Sequence, residues 1–161
     1  MCSNLGDRAE NLSKAVAGLM KLENVKVRDM SGIYCSAAIG EGFSDDFYNV
    51  AVAVEPQLDP LELQKACWQI ESEYERKDHS LDRIIDIDVL LFGSVIINSP
   101  QLTLPHPRLM DSRFVLEPLA EIAADRMHPV AVKTIRELLD DLAGEQDVTR
   151  LPSQLAVEKD T

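Results

Sequence analysis

The stretch "DRIIDIDVLLFG", residues 82–93, limits what this chain can fold into more than any other. Its Ile, Val, Leu and Phe read as a buried strand, yet the run carries Asp86 and Asp88. Side chains alternate across a strand, so the two carboxylates project on one side and Ile85, Ile87 and Val89 on the other. Like charges a few ångströms apart repel and lose hydration. A fold keeps them if they share a proton, meet arginines or bind a metal. Each option implies a polar site on one face of a sheet. The plainer alternative, a salt-bridged pair at a sheet edge or strand end, is weakened by the depletion of Asp from strand interiors.

The remaining bounds are consistent with a small globular domain. A chain of 161 residues, 45% hydrophobic and 27% charged, fits one domain with a sizeable core. With 28 acidic residues against 16 basic, the formal net charge is −12, which argues against a nucleic-acid partner whose phosphates need neutralising. An anionic small substrate would therefore need a local basic cluster. No secretory segment is evident, and no apolar stretch approaches the roughly 20 residues that span a bilayer. Cys2, Cys35 and Cys67 are odd in number and form no close pair, so reduced thiols and a cytoplasmic location are expected. Cys67 sits on an apolar helix face and reads as core filler.

Periodicity predicts an amphipathic helix from about Asp7 to Lys21, with Leu12, Val16, Leu19 and Met20 on one face. Two β segments follow, "VKVRDMSGIYCS" and "DFYNVAVAVEP", joined by the loop "AAIGEGFSDD". Asp59 as N-cap and Pro60 at the first helical position open a second helix, with Leu63, Cys67, Ile70 and Tyr74 on one face. After the aspartate strand come short strand and loop, then helices near "FVLEPLAEIAAD" and "TIRELLDDLA". The expected architecture is α+β: a ferredoxin-like β-α-β-β-α-β core with extra C-terminal helices, its first strand missing because "MCSNLG" is too short and polar to supply one. Residues 1–148 form the single domain and residues 149–161 a loose tail.

"DRIIDIDVLLFG", followed by His106 in "LTLPHPRLMDSRFVLEPLAEIA", resembles the 6-hydroxymethyl-7,8-dihydropterin pyrophosphokinase family. The likeness runs from "SNLGDR" through "IRELL" and so covers most of the chain. It implies transfer of a pyrophosphoryl group from ATP to the pterin alcohol, giving AMP and the pterin diphosphate in folate biosynthesis. Such a transfer asks the protein for metal ions that bridge phosphate oxygens and for cations that absorb charge. Asp86 and Asp88 are the natural ligands, because Mg²⁺ prefers one or two carboxylates with phosphate and water completing its shell. In the family the matching pair holds two Mg²⁺ ions.

Guanidinium forks suit phosphate oxygens. The resemblance implies that Arg76 and Arg83 lie on a catalytic loop that closes over ATP and that Glu71 faces the nucleotide from a helix. Thr103 and His106 lie in the Pro-flanked "TLPHP", where His106 is expected to contact an ATP phosphate; Arg108 and Arg113 add positive charge to that loop. For the pterin, Asn49 can both donate and accept, and Phe114 and Phe47 are placed to sandwich a flat ring. Ser36 and Ile39 match positions that line the family's pterin pocket. A monomer is expected ahead of an oligomer.

The chain also departs from the family. The apolar strand that leads into "GSNLG" is absent, which a misassigned start codon would explain, and Cys2 stands where the family has Gly. The loop "ERKDHSLDR" is short, lacks the usual Trp-Gly-Pro, and has Leu81 and Asp82 where small residues are expected. Ser112 replaces an Arg that many relatives carry, with Arg113 adjacent. These departures motivate an alternative, a truncated or degenerate homologue that binds pterin or nucleotide without turnover. A nucleotide-sugar transferase with an Asp-x-Asp metal site is a third reading, disfavoured by the short chain.

Overall fold

Pairing starts at the second residue. The computed structural model describes residues 1–38, 40–43, 45–74 and 82–157. β1 (Cys2–Ser3) leads into α1 (Arg8–Met20), where the Asp7 side chain accepts from the Glu10 N–H and satisfies one first-turn donor. β2 (Val25–Met30) and β3 (Tyr34–Ser36) form the first predicted β segment, and β4 (Phe47–Asn49) and β5 (Val52–Pro56) the second. Both are interrupted at the same level: the Ser31 N–H donates to the Ala51 carbonyl, and the Ala51 N–H donates to Ser31 Oγ at 2.9 Å.

α2 (Pro60–Ser72) begins as predicted, with a capping box in which the Asp59 side chain accepts from the Glu62 N–H and the Glu62 side chain from the Asp59 N–H. Asp59→Ala is expected to cost about 1 kcal/mol in a denaturant melt, with no effect on the sheet. The hairpin β6 (Ile97–Asn98) and β7 (Thr103–Leu104) precedes α3 (Arg113–Ala123). The pair β8 (Met127–His128) and β9 (Lys133–Thr134) then leads to α4 (Ile135–Asp141), and β10 (Val148–Arg150) follows.

The class is α+β, as expected. One antiparallel sheet runs β1-β4-β3-β10, and β2 pairs with β5. Its two faces are covered by different helices. Val50 belongs to the core formed with α1 and α2 (Leu12, Val16, Leu63, Cys67, Ile70), whereas its neighbour Ala51 belongs to the core formed with α3 and α4 (Leu116, Leu119, Ile135, Leu139). Successive residues on opposite faces are the ordinary consequence of strand geometry. Among the described residues no helix is long and apolar enough to cross a membrane.

Three expectations need correction. "MCSNLG" does supply a short strand: Cys2 and Ser3 pair with Asn49 and Tyr48, and on the other side the Cys2 and Asp86 backbones exchange hydrogen bonds of 2.9 and 3.0 Å. Polarity is no obstacle there, because the buried Ser3 and Asn4 have side-chain partners in Asn11 and Asp82. The stretch that reads as a full strand around Asp86 has only that one bridge, with no further ladder through residues 87–92. The C-terminal segment is not loose as far as residue 157. Thr149 and Arg150 pair with Cys35 and Tyr34, the Leu151 N–H donates to the Ile33 carbonyl, and Leu155 is buried in the α1–α2 core. Its apolar residues and an open sheet edge decide this, and neither shows as a periodic pattern.

Candidate active site

Ile85, Ile87 and Val89 are 6%, 5% and 9% exposed and pack into the α1–α2 core, while Asp86 is half-buried and Asp88 exposed. The alternation read from the sequence therefore holds without a full ladder. The Asp86 backbone is fixed by Cys2, and its carboxyl is pushed up by burial first and by the Asp88 charge second. From the last turn of α2, Glu71 reaches the same place, and its Oε1 accepts from the Ile87 N–H at 2.5 Å. Burial drives the Glu71 carboxyl up to about 7. The Ile87 hydrogen bond opposes this and the charges of Asp86 and Asp88 add to it.

Three carboxylates thus share a place where negative charge is under-compensated. Hard oxygen donors short of positive charge suit Mg²⁺. Among the described residues, no group of three or more His, Cys, Asp and Glu side chains is arranged to hold a metal alone. The donor set fits an ion that takes one or two carboxylates and completes its shell from a substrate and water, not one caged by protein.

His106 joins this group. Its Nδ1 accepts from the Arg108 N–H at 3.2 Å, which assigns the proton of the neutral ring to Nε2, and Nε2 lies 3.8 Å from Asp88 Oδ1. The Leu90 carbonyl anchors the His106 backbone. Thr103, in β7, pairs with Asn98. Arg83 is exposed and close enough to act on the Asp86 charge. Arg113 is differently committed, to Glu117 and the Leu142 carbonyl, both at 3.2 Å. Arg76 lies outside the described residues.

Two groups near the aspartates escaped the sequence reading. Asn4 Nδ2 donates to the buried Asp82 at 2.8 Å, and Asn4 Oδ1 accepts from the Arg83 N–H at 2.6 Å, so one amide holds the start of the aspartate stretch. This also explains Asp82, which stands where a small residue was expected and is a paired carboxylate. The signal was Asn4 within "SNLG", a polar residue without an assigned partner. The Cys2 thiol lies 4.0 Å from Asp86 Oδ2; burial and then the Asp86 charge push it up to about 12, so it stays a neutral S–H.

The second set of predicted residues gathers on β3 and β4. Asn49 is 4% exposed, and its Nδ2 donates to Ser36 Oγ at 2.8 Å and to the Tyr34 carbonyl at 3.1 Å. No described residue donates to Asn49 Oδ1, which leaves an acceptor fixed in place. Phe47 meets Phe43 edge to face, with ring centroids 5.5 Å apart; Phe43 was not predicted. Phe114 is half-buried in the first turn of α3, which packs on β3 and β4. Ile39 lies outside the described residues. A separate apolar cavity of about 470 Å³ has Met1 and Asp88 among its lining residues and lies between β5 and residues 87–94. None of Ser36, Phe47, Asn49 or Phe114 lines it.

The family 7,8-dihydro-6-hydroxymethylpterin-pyrophosphokinase (HPPK) matches residues 1–124. The chain belongs to this family. The HPPK match takes in Glu71, Asp86, Asp88 and His106 together with Ser36 and Asn49. A 2-amino-4-hydroxy-6-hydroxymethyldihydropteridine pyrophosphokinase of Bacillus subtilis (strain 168) is 41% identical over 122 residues, 74% of this chain and 73% of that one. One of the same name from Haemophilus influenzae is 32% identical over 152 residues, 93% of this chain and 94% of that one. The folic acid synthesis protein fol1 of Schizosaccharomyces pombe is 33% identical over 145 residues, 89% of this chain, which spans only 20% of that longer protein.

Proposed function

We propose that the chain transfers pyrophosphate from ATP to 6-hydroxymethyl-7,8-dihydropterin, giving AMP and the pterin diphosphate in folate biosynthesis. The observation that carries this reading is the pair Asp86 and Asp88 on one side of an extended segment, with Glu71 and His106 converging on it, in an HPPK chain. In the transfer, the pterin hydroxyl oxygen forms a bond to the β-phosphorus of ATP, the bond from that phosphorus to the oxygen of the α-phosphate breaks, and the hydroxyl proton is released. Asp86 and Asp88 would hold two Mg²⁺ ions, which would supply positive charge to offset that of the phosphates.

The protein's own groups bind and orient. Asp88 and the Nε2–H of His106 face the same space, so a phosphate oxygen there can accept from His106. Arg83 sits within electrostatic range of Asp86, where a guanidinium suits the polyphosphate, and Arg76 is given the same role. Thr103 and Arg113 complete the proposed nucleotide contacts, Arg113 only on releasing Glu117. Ser36, Ile39, Phe47, Asn49 and Phe114 form the proposed pterin wall, where Asn49 Oδ1 would accept from a pterin N–H. The order β1-β4-β3, with Asp86 beyond β1, supports a ferredoxin-like sheet to which β10 adds an edge. Free thiols support a cytoplasmic setting, and a monomer is the proposed state.

Purified protein incubated with ATP, Mg²⁺ and the pterin alcohol is expected to form AMP and pterin diphosphate in equal amounts, and EDTA is expected to stop both. Pterin or ATP binding without AMP would overturn the reading in favour of a degenerate binder.

A further inference from the structure

Outside the aspartate cluster, a side-chain network among the described residues lies at the C-terminal edge of the sheet. Glu121, on α3, accepts from four donors: the Gly32 N–H at 3.2 Å, the Tyr34 hydroxyl at 2.6 Å, and Arg150 through Nε at 3.2 Å and Nη2 at 3.0 Å. One carboxylate therefore joins α3, the β2–β3 junction and β10. Gly32 leaves the room for it, because a Cβ there would stand 2.7 Å from the Arg150 guanidinium. Arg150 first and the Tyr34 hydroxyl and Gly32 N–H after it hold the Glu121 carboxyl down to about 2, against some desolvation, so it is ionised at any working pH.

Tyr34 belongs to two networks. Its hydroxyl is held by Glu121, and its carbonyl accepts from Asn49 Nδ2, whose other strong acceptor is Ser36 Oγ. β10 pairs residue by residue with the same strand, Val148 to Ser36, Thr149 to Cys35 and Arg150 to Tyr34. Residues 34–36 are thereby fixed from the edge by β10 and through Tyr34 by Glu121. The direction in which Asn49 presents Oδ1 depends on where that strand lies.

We infer that Glu121 and Arg150 are positioning residues for the pterin side of the site: they touch no substrate, and through Tyr34 they set the aim of the Asn49 amide. This rests on the assignment of Asn49 to the pterin wall. An amide held by two acceptors on one strand is misdirected by small movements of that strand, and a hydrogen bond lost to misalignment corresponds to about a tenfold loss of affinity. Nucleotide binding, which is assigned to the far side of β1 around Asp86 and Asp88, has no such dependence.

The test measures pterin binding by fluorescence and ATP binding by calorimetry, beside melting temperature, in Glu121→Gln, Arg150→Met, Arg150→Lys and Asn49→Ala. Glu121→Gln and Arg150→Met are expected to weaken pterin binding about tenfold and change ATP binding less than about twofold, with Arg150→Lys recovering part of the loss. Lowered melting temperature with pterin affinity intact in Arg150→Met would overturn the inference and leave the clasp purely structural. Equal losses of pterin and ATP affinity would overturn it as well. If Asn49→Ala itself leaves pterin binding intact, the pterin wall has been misassigned, an outcome separate from failure of the clasp alone.

Discussion

Asp86→Ala or Asp88→Ala will remove turnover by about 10³-fold or more while the chain stays folded, because each deletes half of the proposed cation site and none of the core. The two properties should even move in opposite directions. Asp86 is pushed up by burial and by Asp88, so its charge costs the metal-free fold stability, and Asp86→Asn should raise the melting temperature in EDTA as it abolishes AMP formation. Circular dichroism melts run beside the AMP assay separate the two effects. Full activity in either alanine variant would sink the metal assignment, whatever the melts show.

What the sequence made legible follows from the range of each interaction. The starts of α1 and α2 were readable because Asp7, Asp59, Pro60 and Glu62 are local signals acting over one turn, whereas α2 ends at Ser72, short of the Tyr74 that was read onto its face. The β segments were readable by alternation, but the break at Ser31 and Ala51 was not, since a serine that bonds across to a neighbouring strand looks like any other serine in the chain. β1 and β10 were missed for a related reason. Two or three residues carry no period, and what makes them strands is the presence of Asn49, Asp86 and Tyr34 at the right distance, contributed from remote parts of the chain.

The site divides in the same way. Asp86 and Asp88 announced themselves, because carboxylates are conspicuous in an apolar run. Glu71 and His106 came from the family resemblance, and the structure brings both to the aspartates, whereas it engages Arg113 with Glu117. Asn4 and Asp82 could not be paired by spacing, lying 78 residues apart. Glu121, Tyr34 and Arg150 likewise form a network only once α3 lies across the sheet beside β10.

In metal-free protein, Glu71→Gln should abolish a loss of stability that the natural chain suffers as pH rises from about 4.5 to about 7. The sign follows from proton counting. The folded carboxyl is held up at about 7 against an ordinary 4.5, so between those values the folded state binds more protons than the unfolded state, and unfolding becomes easier as pH rises. Below 4.5 both states are protonated and nothing is lost; above 7 the full cost is present. Gln keeps an oxygen for the Ile87 N–H and removes the charge facing Asp86 and Asp88, which should make the variant more stable above pH 7 by about 1–3 kcal/mol after allowance for solvent relaxation. Glu121 does not confuse the reading. Its carboxyl is held low, at about 2, so the stability it contributes is present above 4.5 and is lost only as pH falls below that, outside the window of Glu71. Denaturant melts of both proteins in EDTA from pH 4 to 8 give the difference directly. Parallel curves would mean that Glu71 carries no excess charge burden, and the carboxylate cluster would reduce to the two aspartates alone.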